Sequence, residues 1–365
     1  MINMSVGEPD FNTPDHIKEA GKKAIDDNFS KYSPVPGYMD LREAIVEKLK
    51  KENGLDYTTN EVIAGTGGKQ GVCNTILALV NPGDEVIIPA PYWVSYPQMA
   101  KLAGATPVIV RAGFEQDFKM TAEQLEAAIT PKTKMLILCS PSNPTGSVYS
   151  QEELNALAEV ILKHEDIFVL SDEIYEHINY VGKAASIASY PGMKERTIIC
   201  NGVSKAYAMT GWRLGWVAAP AWIVKGINKL QGQYTSGTCD VSQKAAVAAY
   251  VASQDCVEQM RVAFERRRDL IVKLAKDIPG LEVNVPQGAF YLFPKCSSFF
   301  GKSDGETVIN NSTDFAMYIL EKAHVATVGG DAFGDPDCFR MSYATSDDNI
   351  REAMRRIKEV LAVLK

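Results

Sequence analysis

The chain has 365 residues, of which 46% are hydrophobic and 23% charged, and a formal net charge of −7. That length asks for more than one small core, with one large and one small domain as the natural division, in an ordinary soluble composition. The acidic balance, with no basic cluster to offset it, argues against a nucleic-acid partner. Arg266-Arg267-Arg268 sits in a helical pattern and reads as a solvated face or domain-edge contact. Seven scattered cysteines without a C-x-x-C pair suggest reduced, packing thiols, and four dispersed histidines offer no metal-ligand spacing. No apolar run reaches transmembrane length, and MINMSVGEPD lacks a signal-peptide pattern, so a cytoplasmic protein with no membrane partner is expected.

From about residue 60 to 230, short apolar runs alternate with amphipathic stretches. Runs at 85–89, 106–110, 134–139, 167–171 and 197–201 read as buried strands, and 68–80, 122–129 and 151–163 as helices. The turn Asn81-Pro-Gly-Asp84 stops the first helix. This alternation predicts an α/β fold, a mostly parallel sheet with helices on both faces, whose ligands gather beyond the carboxyl ends of the strands. After about residue 240 the pattern changes. A helical stretch over 242–277, broken near Ser253, precedes strands at 281–285, 289–293 and 339–342 and a final helix over 346–364. The expected division is a large domain over 31–260 and a smaller α+β domain from 1–30 and 261–365.

The polar residues of interest follow strand ends. Gly65-Thr-Gly-Gly-Lys-Gln70 is a glycine-rich strand-to-helix junction that frees backbone N–H groups for a phosphate, a weak signal by itself. Trp93, after the first of the five runs, is either a core aromatic or a flat platform. Asn143 is confined between Pro141 and Pro144. Asp172, directly after the fourth run, is either a helix N-cap or a carboxylate aimed at a heteroaromatic nitrogen, with Tyr175 on the same side of a starting helix. Lys205 stands eight residues before Arg213 in GVSKAYAMTGWRLG, among small uncharged residues. A lysine so placed can condense with an aldehyde while the arginine grips a phosphate, and pyridoxal 5'-phosphate (PLP) carries both groups. Arg340, a lone charge entering a strand pattern, needs an anion, which a structural carboxylate or the α-carboxylate of an amino acid would supply.

SVGEPDF, YSPVPGYMDLR, GTGGKQG, PYWVSYP, SPSNPTG, SDEIYE, the Lys205 segment, GAFY and FRMSYATS span nearly the whole chain. In this order they resemble the fold-type I, PLP-dependent class I aminotransferases, and among these the bacterial aspartate aminotransferases. The resemblance implies a homodimer with shared active sites, in which Lys205 is catalytic and Asp172, Tyr175, Asn143, Trp93, Gly67, Gly68, Lys69, Ser204 and Arg213 hold the cofactor. It places Tyr32 at the phosphate of the neighbouring subunit's cofactor. Arg340, Asn143, Gly7 and Trp93 would meet the substrate, and Lys69 the distal carboxylate of aspartate or glutamate. Aromatic amino acids, prephenate, or β-C–S elimination on the same scaffold are the alternatives. Family members usually carry a helix and the start of a strand before the matching SVGEPDF, whereas four residues precede Ser5 here; either the assigned start is short or closure of the active-site mouth is expected to differ, with the chemistry less affected.

Overall fold

The computed structural model describes all 365 residues. The chain opens with β1 (Ile2–Asn3), α1 (Asp15–Asp26) and α2 (Met39–Lys48). There follow β2 (Val62–Gly65), α3 (Gly68–Leu79), β3 (Glu85–Ala90), α4 (Ser95–Leu102), β4 (Thr106–Arg111) and α5 (Ala122–Ala128). Next come β5 (Thr133–Cys139), α6 (Gln151–Leu162), β6 (Phe168–Asp172), β7 (Thr197–Gly202) and β8 (Gly215–Ala218). The rest comprises α7 (Ala221–Tyr234), α8 (Asp240–Val251), α9 (Asp255–Lys276), β9 (Tyr291–Leu292), α10 (Ser312–Tyr318), β10 (Val325–Ala326), β11 (Val328–Gly329), β12 (Phe339–Ser342) and α11 (Asp347–Leu361).

Seven strands form one sheet in the order β2-β8-β7-β6-β5-β3-β4. Its pairs are parallel except the two that β8 makes, so β8 alone runs against the rest. Alternate side chains go to opposite faces, as the two-residue strand period requires. Val86, Ile88 and Ile198 pack with residues of α3, α4 and α7. On the other face Ile87 and Leu136 meet α6, while Ala64 and Ile199 meet residues of α1, α2 and α8. Burial on both faces is why these strands read as unbroken apolar runs. The five expected strands and the three expected helices between residues 60 and 200 form within one residue of their sequence-read ends.

A second core gathers Phe264, Phe290, Phe315, Phe339 and Ile350 around the three-stranded sheet β11-β12-β9. Residues 281–285 do not form the expected strand. Only Glu282 pairs, with Lys295, and Asn284 instead donates to Phe114 O and to Asp117 of the sheet domain. Nor does a helix start after Asp172, since residues 174–177 form a turn.

The expected domain boundaries also need correction. Met4 joins the second core and its backbone bonds to Ala326 and Ser342, but α1 packs against α8, with Ile17 in the core of the large sheet. Gly21 permits this approach, because a Cβ there would lie 2.9 Å from the Trp212 ring. Residue 260 is no boundary either. The single helix α9 buries Val257 in one core and Met260 and Phe264 in the other.

Candidate active site

The candidate residues meet at the carboxyl edge of the large sheet. Asp172 is the last residue of β6, Asn143 lies beyond β5, Lys205 beyond β7, and Gly67 and Gly68 join β2 to α3. Because β8 is reversed, Arg213, just ahead of it, arrives at the same edge. The smaller domain adds Arg340 from β12, and the N-terminal segment adds Gly7. These residues, with Lys69, Trp93, Tyr175 and Ser204, line one cavity of about 450 Å³, except Gly67, which stands beside it. Gly67 has φ of +80°, and a Cβ on it would run into the Arg213 guanidinium, so the turn is closed to other residues. Tyr32 is not in this cavity, and its side chain is fully exposed.

The cavity is short of anions. Lys205 Nζ donates to Gly7 O at 2.5 Å. Burial lowers its pKa to about 8, against the opposing charges of Glu8 and Asp172, with Arg213 and Arg340 adding to the depression. Arg340 donates to Asn143 Oδ1 at 2.9 Å and Ser5 O at 2.6 Å, and its buried Nε has no partner. The rings of Tyr291 and Phe333 flank this guanidinium at 4.6 and 4.8 Å. Arg213 donates to the carbonyls of Thr210 and Thr66. All three cations therefore spend their donors on neutral oxygens. Lys69 sits over the Trp93 ring, 4.9 Å from its centroid.

Asp172 is buried, which raises its carboxyl pKa. It accepts hydrogen bonds from Tyr96 Oη at 2.7 Å and from Ile174 N at 3.3 Å. The second bond closes a local turn rather than capping a helix, since none starts here, and the carboxylate lines the cavity. Tyr175 and Tyr291 share a hydrogen bond between their hydroxyls at 2.7 Å. Glu52, Glu176 and His177 bring possible ligand atoms close together, but Lys48 and Asn53 already bond Glu176 there.

A family model described as "Aminotransferase class I and II" matches residues 1–357. The chain belongs to the class I and II aminotransferases. It is 50% identical, over all of its own length and 77% of the relative's, to a bifunctional aspartate aminotransferase and glutamate/aspartate-prephenate aminotransferase of Petunia hybrida. An aspartate/prephenate aminotransferase of Cereibacter sphaeroides is 49% identical, covering 100% of this chain and 92% of the relative. The crystal structure of the Rhizobium meliloti aspartate aminotransferase superposes with a TM-score of 0.97 at 44% identity, covering 100% of this chain and 92% of that one. No helix of this aminotransferase is long and apolar enough to cross a membrane.

Among the lining residues that sequence reasoning missed are Glu8, Tyr96, Tyr291 and Phe333. Glu8, Tyr96 and Tyr291 lie inside motifs already singled out, SVGEPDF, PYWVSYP and GAFY, so position within those motifs was an available signal. Phe333 comes from a short 3-10 turn between β11 and β12, where no periodicity marks it.

Proposed function

We propose that this chain is a PLP-dependent transaminase that exchanges an amino group between an L-amino acid, aspartate foremost, and a 2-oxo acid, 2-oxoglutarate foremost, by a ping-pong cycle. The observation that carries the reading is the pairing, in one cavity, of a half-buried lysine and a buried arginine that both lack a salt-bridge partner. A buried charge left unpaired is costly, so the cavity is built for an anionic ligand.

The residues fit the cofactor. Arg213, Ser204 and the N–H of Gly68 at the start of α3 suit the phosphate, whereas the Gly67 N–H already donates to Gly65 O and Gly67 serves through its backbone turn. The Trp93 indole suits one face of the ring, Asp172 its nitrogen, and Tyr175 and Asn143 its phenolic oxygen. When bound, PLP supplies an electron sink for charge developing at the substrate's Cα. Lys205 would hold the cofactor through its amine and, when that amine is free, would take up and give back the Cα proton, as nucleophile first and general acid–base second. Arg340 takes the α-carboxylate in a bidentate pair, oriented by its existing bond to Asn143. Gly7 lines the pocket through its backbone, whose carbonyl already contacts Lys205.

With those roles filled, Lys69 is the one cationic side chain of the cavity left over, and it suits the distal carboxylate of aspartate or glutamate. The second reading, use of prephenate or aromatic amino acids, rests on the apolar wall of Val94, Val328 and Phe333 and on the dual names of the two relatives above. We take the active form to be a homodimer in which the exposed Tyr32 reaches the partner's cofactor phosphate. All seven cysteines are unpaired, which suits a reducing cytoplasm.

Steady-state assays of the purified protein against aspartate, glutamate, aromatic amino acids and prephenate test this reading. Aspartate with 2-oxoglutarate should rank among the best pairs, and its absence from them would end the argument for Lys69. A β-C–S lyase would instead release ammonia and pyruvate without an acceptor. Lys205→Ala should abolish transamination, and near-normal turnover in that variant would refute the mechanism.

A further inference from the structure

The Tyr96 hydroxyl is the only side-chain group that hydrogen-bonds the Asp172 carboxylate. It donates to Oδ2 at 2.7 Å, and both residues are buried. Tyr96 stands in the first turn of α4, three residues after Trp93, and the two rings meet edge to face at 5.3 Å. A single turn of chain thus carries both the aromatic wall of the cavity and the donor to its buried carboxylate.

The ionisable groups around Asp172 come from three further places: Cys139 at the end of β5, Cys200 in β7, and Lys205. Burial pushes Cys139 up to about 12 and Cys200 well above the usual thiol range, so neither carries charge near neutral pH. Burial also raises the Asp172 carboxyl. The Tyr96 hydrogen bond is the largest influence against that rise, ahead of the Ile174 N–H and the Lys205 charge.

We infer that Tyr96 is a positioning residue of the reaction: its hydroxyl fixes the Asp172 carboxylate against the ring nitrogen of the cofactor, so that the protein's hold on that nitrogen passes through α4. The inference rests on the PLP assignment above. Without the hydroxyl, Asp172 Oδ2 loses its only partner in a buried setting, where an ionised carboxyl is penalised most. A protonated Asp172 would no longer favour a proton on the ring nitrogen, and the electron sink would weaken.

The test compares Tyr96→Phe, Asp172→Asn and the double variant, each loaded with PLP, by PLP dissociation constant and by kcat and KM for aspartate. Phenylalanine keeps the buried ring and its contact with Trp93, so only the hydroxyl is removed. Tyr96→Phe should lose roughly 10- to 100-fold in kcat with KM little changed, and bind PLP about tenfold more weakly. The double variant should be no worse than Asp172→Asn alone, because Tyr96 acts through that carboxylate. Parent-like kcat and PLP affinity in Tyr96→Phe, or losses that multiply in the double variant, would overturn the inference. Failure of the PLP assignment has a different signature, since the parent protein itself would then bind no PLP.

Discussion

Lys205 must shed a proton before its amine can attack an aldehyde, and its surroundings bring that event close to physiological pH. Burial lowers its pKa from the ordinary lysine value of 10.5 to about 8, although Glu8 and Asp172 pull it upward. The rate of PLP attachment to the apo-protein should therefore climb as pH rises through about 8 and level off above it; stopped-flow absorbance would follow this directly. A climb continuing to pH 10 would mean that the amine is solvated. Arg340 gives a second expectation at this scale. Its guanidinium lies between two aromatic rings and already bonds Asn143 and Ser5, a geometry that a lysine ammonium does not reproduce. Arg340→Lys should cost about 100-fold in kcat/KM for every amino-acid substrate alike, through loss of the bidentate pair. A loss confined to dicarboxylic substrates would assign Arg340 to the distal carboxylate instead.

At the scale of elements, the loop that carries Asp172 and Tyr175 is held from beneath by α2. Lys48, near the end of that helix, is buried and pairs with Glu176, which also accepts from Asn53 at 2.9 Å and Asn201 at 2.7 Å. Burial works against the Glu176 charge, but Lys48 and His177 outweigh it and hold the carboxyl at about 2. A folded-state value depressed below that of the unfolded chain stabilises the fold at pH above the unfolded value, and this contribution is lost as pH falls from about 4.5 toward 2. Lys48→Met should strand the carboxylate and destabilise the apo-protein by about 3–5 kcal/mol, measured by urea unfolding at neutral pH. The deficit should shrink as the pH is lowered and the stranded carboxyl takes up a proton. None of this network was legible in the sequence, because Lys48 and Glu176 lie far apart in the chain and meet only when α2 packs beneath the sheet edge. The strands β3, β5, β6 and β7 were legible, since burial on both faces writes itself as apolar runs such as MLILC; β4 forms as expected but at the sheet edge, where Thr106, Ile109 and Arg111 are exposed, so it is not the buried strand its apolar run suggested. The segment 281–285, LEVNV, alternates apolar and polar residues yet pairs only at Glu282, its Asn284 turned to a polar contact with Asp117. Most of the site could be read because its residues follow strand ends within motifs. Tyr96 and Tyr291 touch Asp172, Tyr175 and Arg340, contacts with no spacing of their own, so only their place inside PYWVSYP and GAFY marked them.

For the whole molecule, the open question is how many chains make one active site. The cavity of a single chain brings together Lys205, Asp172, Arg213 and Arg340, whereas the Tyr32 side chain is fully exposed. In the proposed homodimer this exposed hydroxyl has a phosphate to bond. Tyr32→Phe should then weaken PLP binding about tenfold while Lys205 chemistry stays intact. Complementation decides whether the contact crosses between subunits. A hybrid of Tyr32→Phe and Lys205→Ala chains contains one site with both Lys205 and Tyr32 intact, and one site with neither. If Tyr32 crosses, co-expressed hybrids purified by two tags should recover, at limiting PLP, close to half the parent's activity per dimer. If Tyr32 serves its own subunit, the hybrid has no intact site, because the chain that keeps Lys205 lacks the tyrosine. Activity at limiting PLP would then stay at half that of the Tyr32→Phe dimer, and the shared-site proposal would fall while the transaminase reading stood.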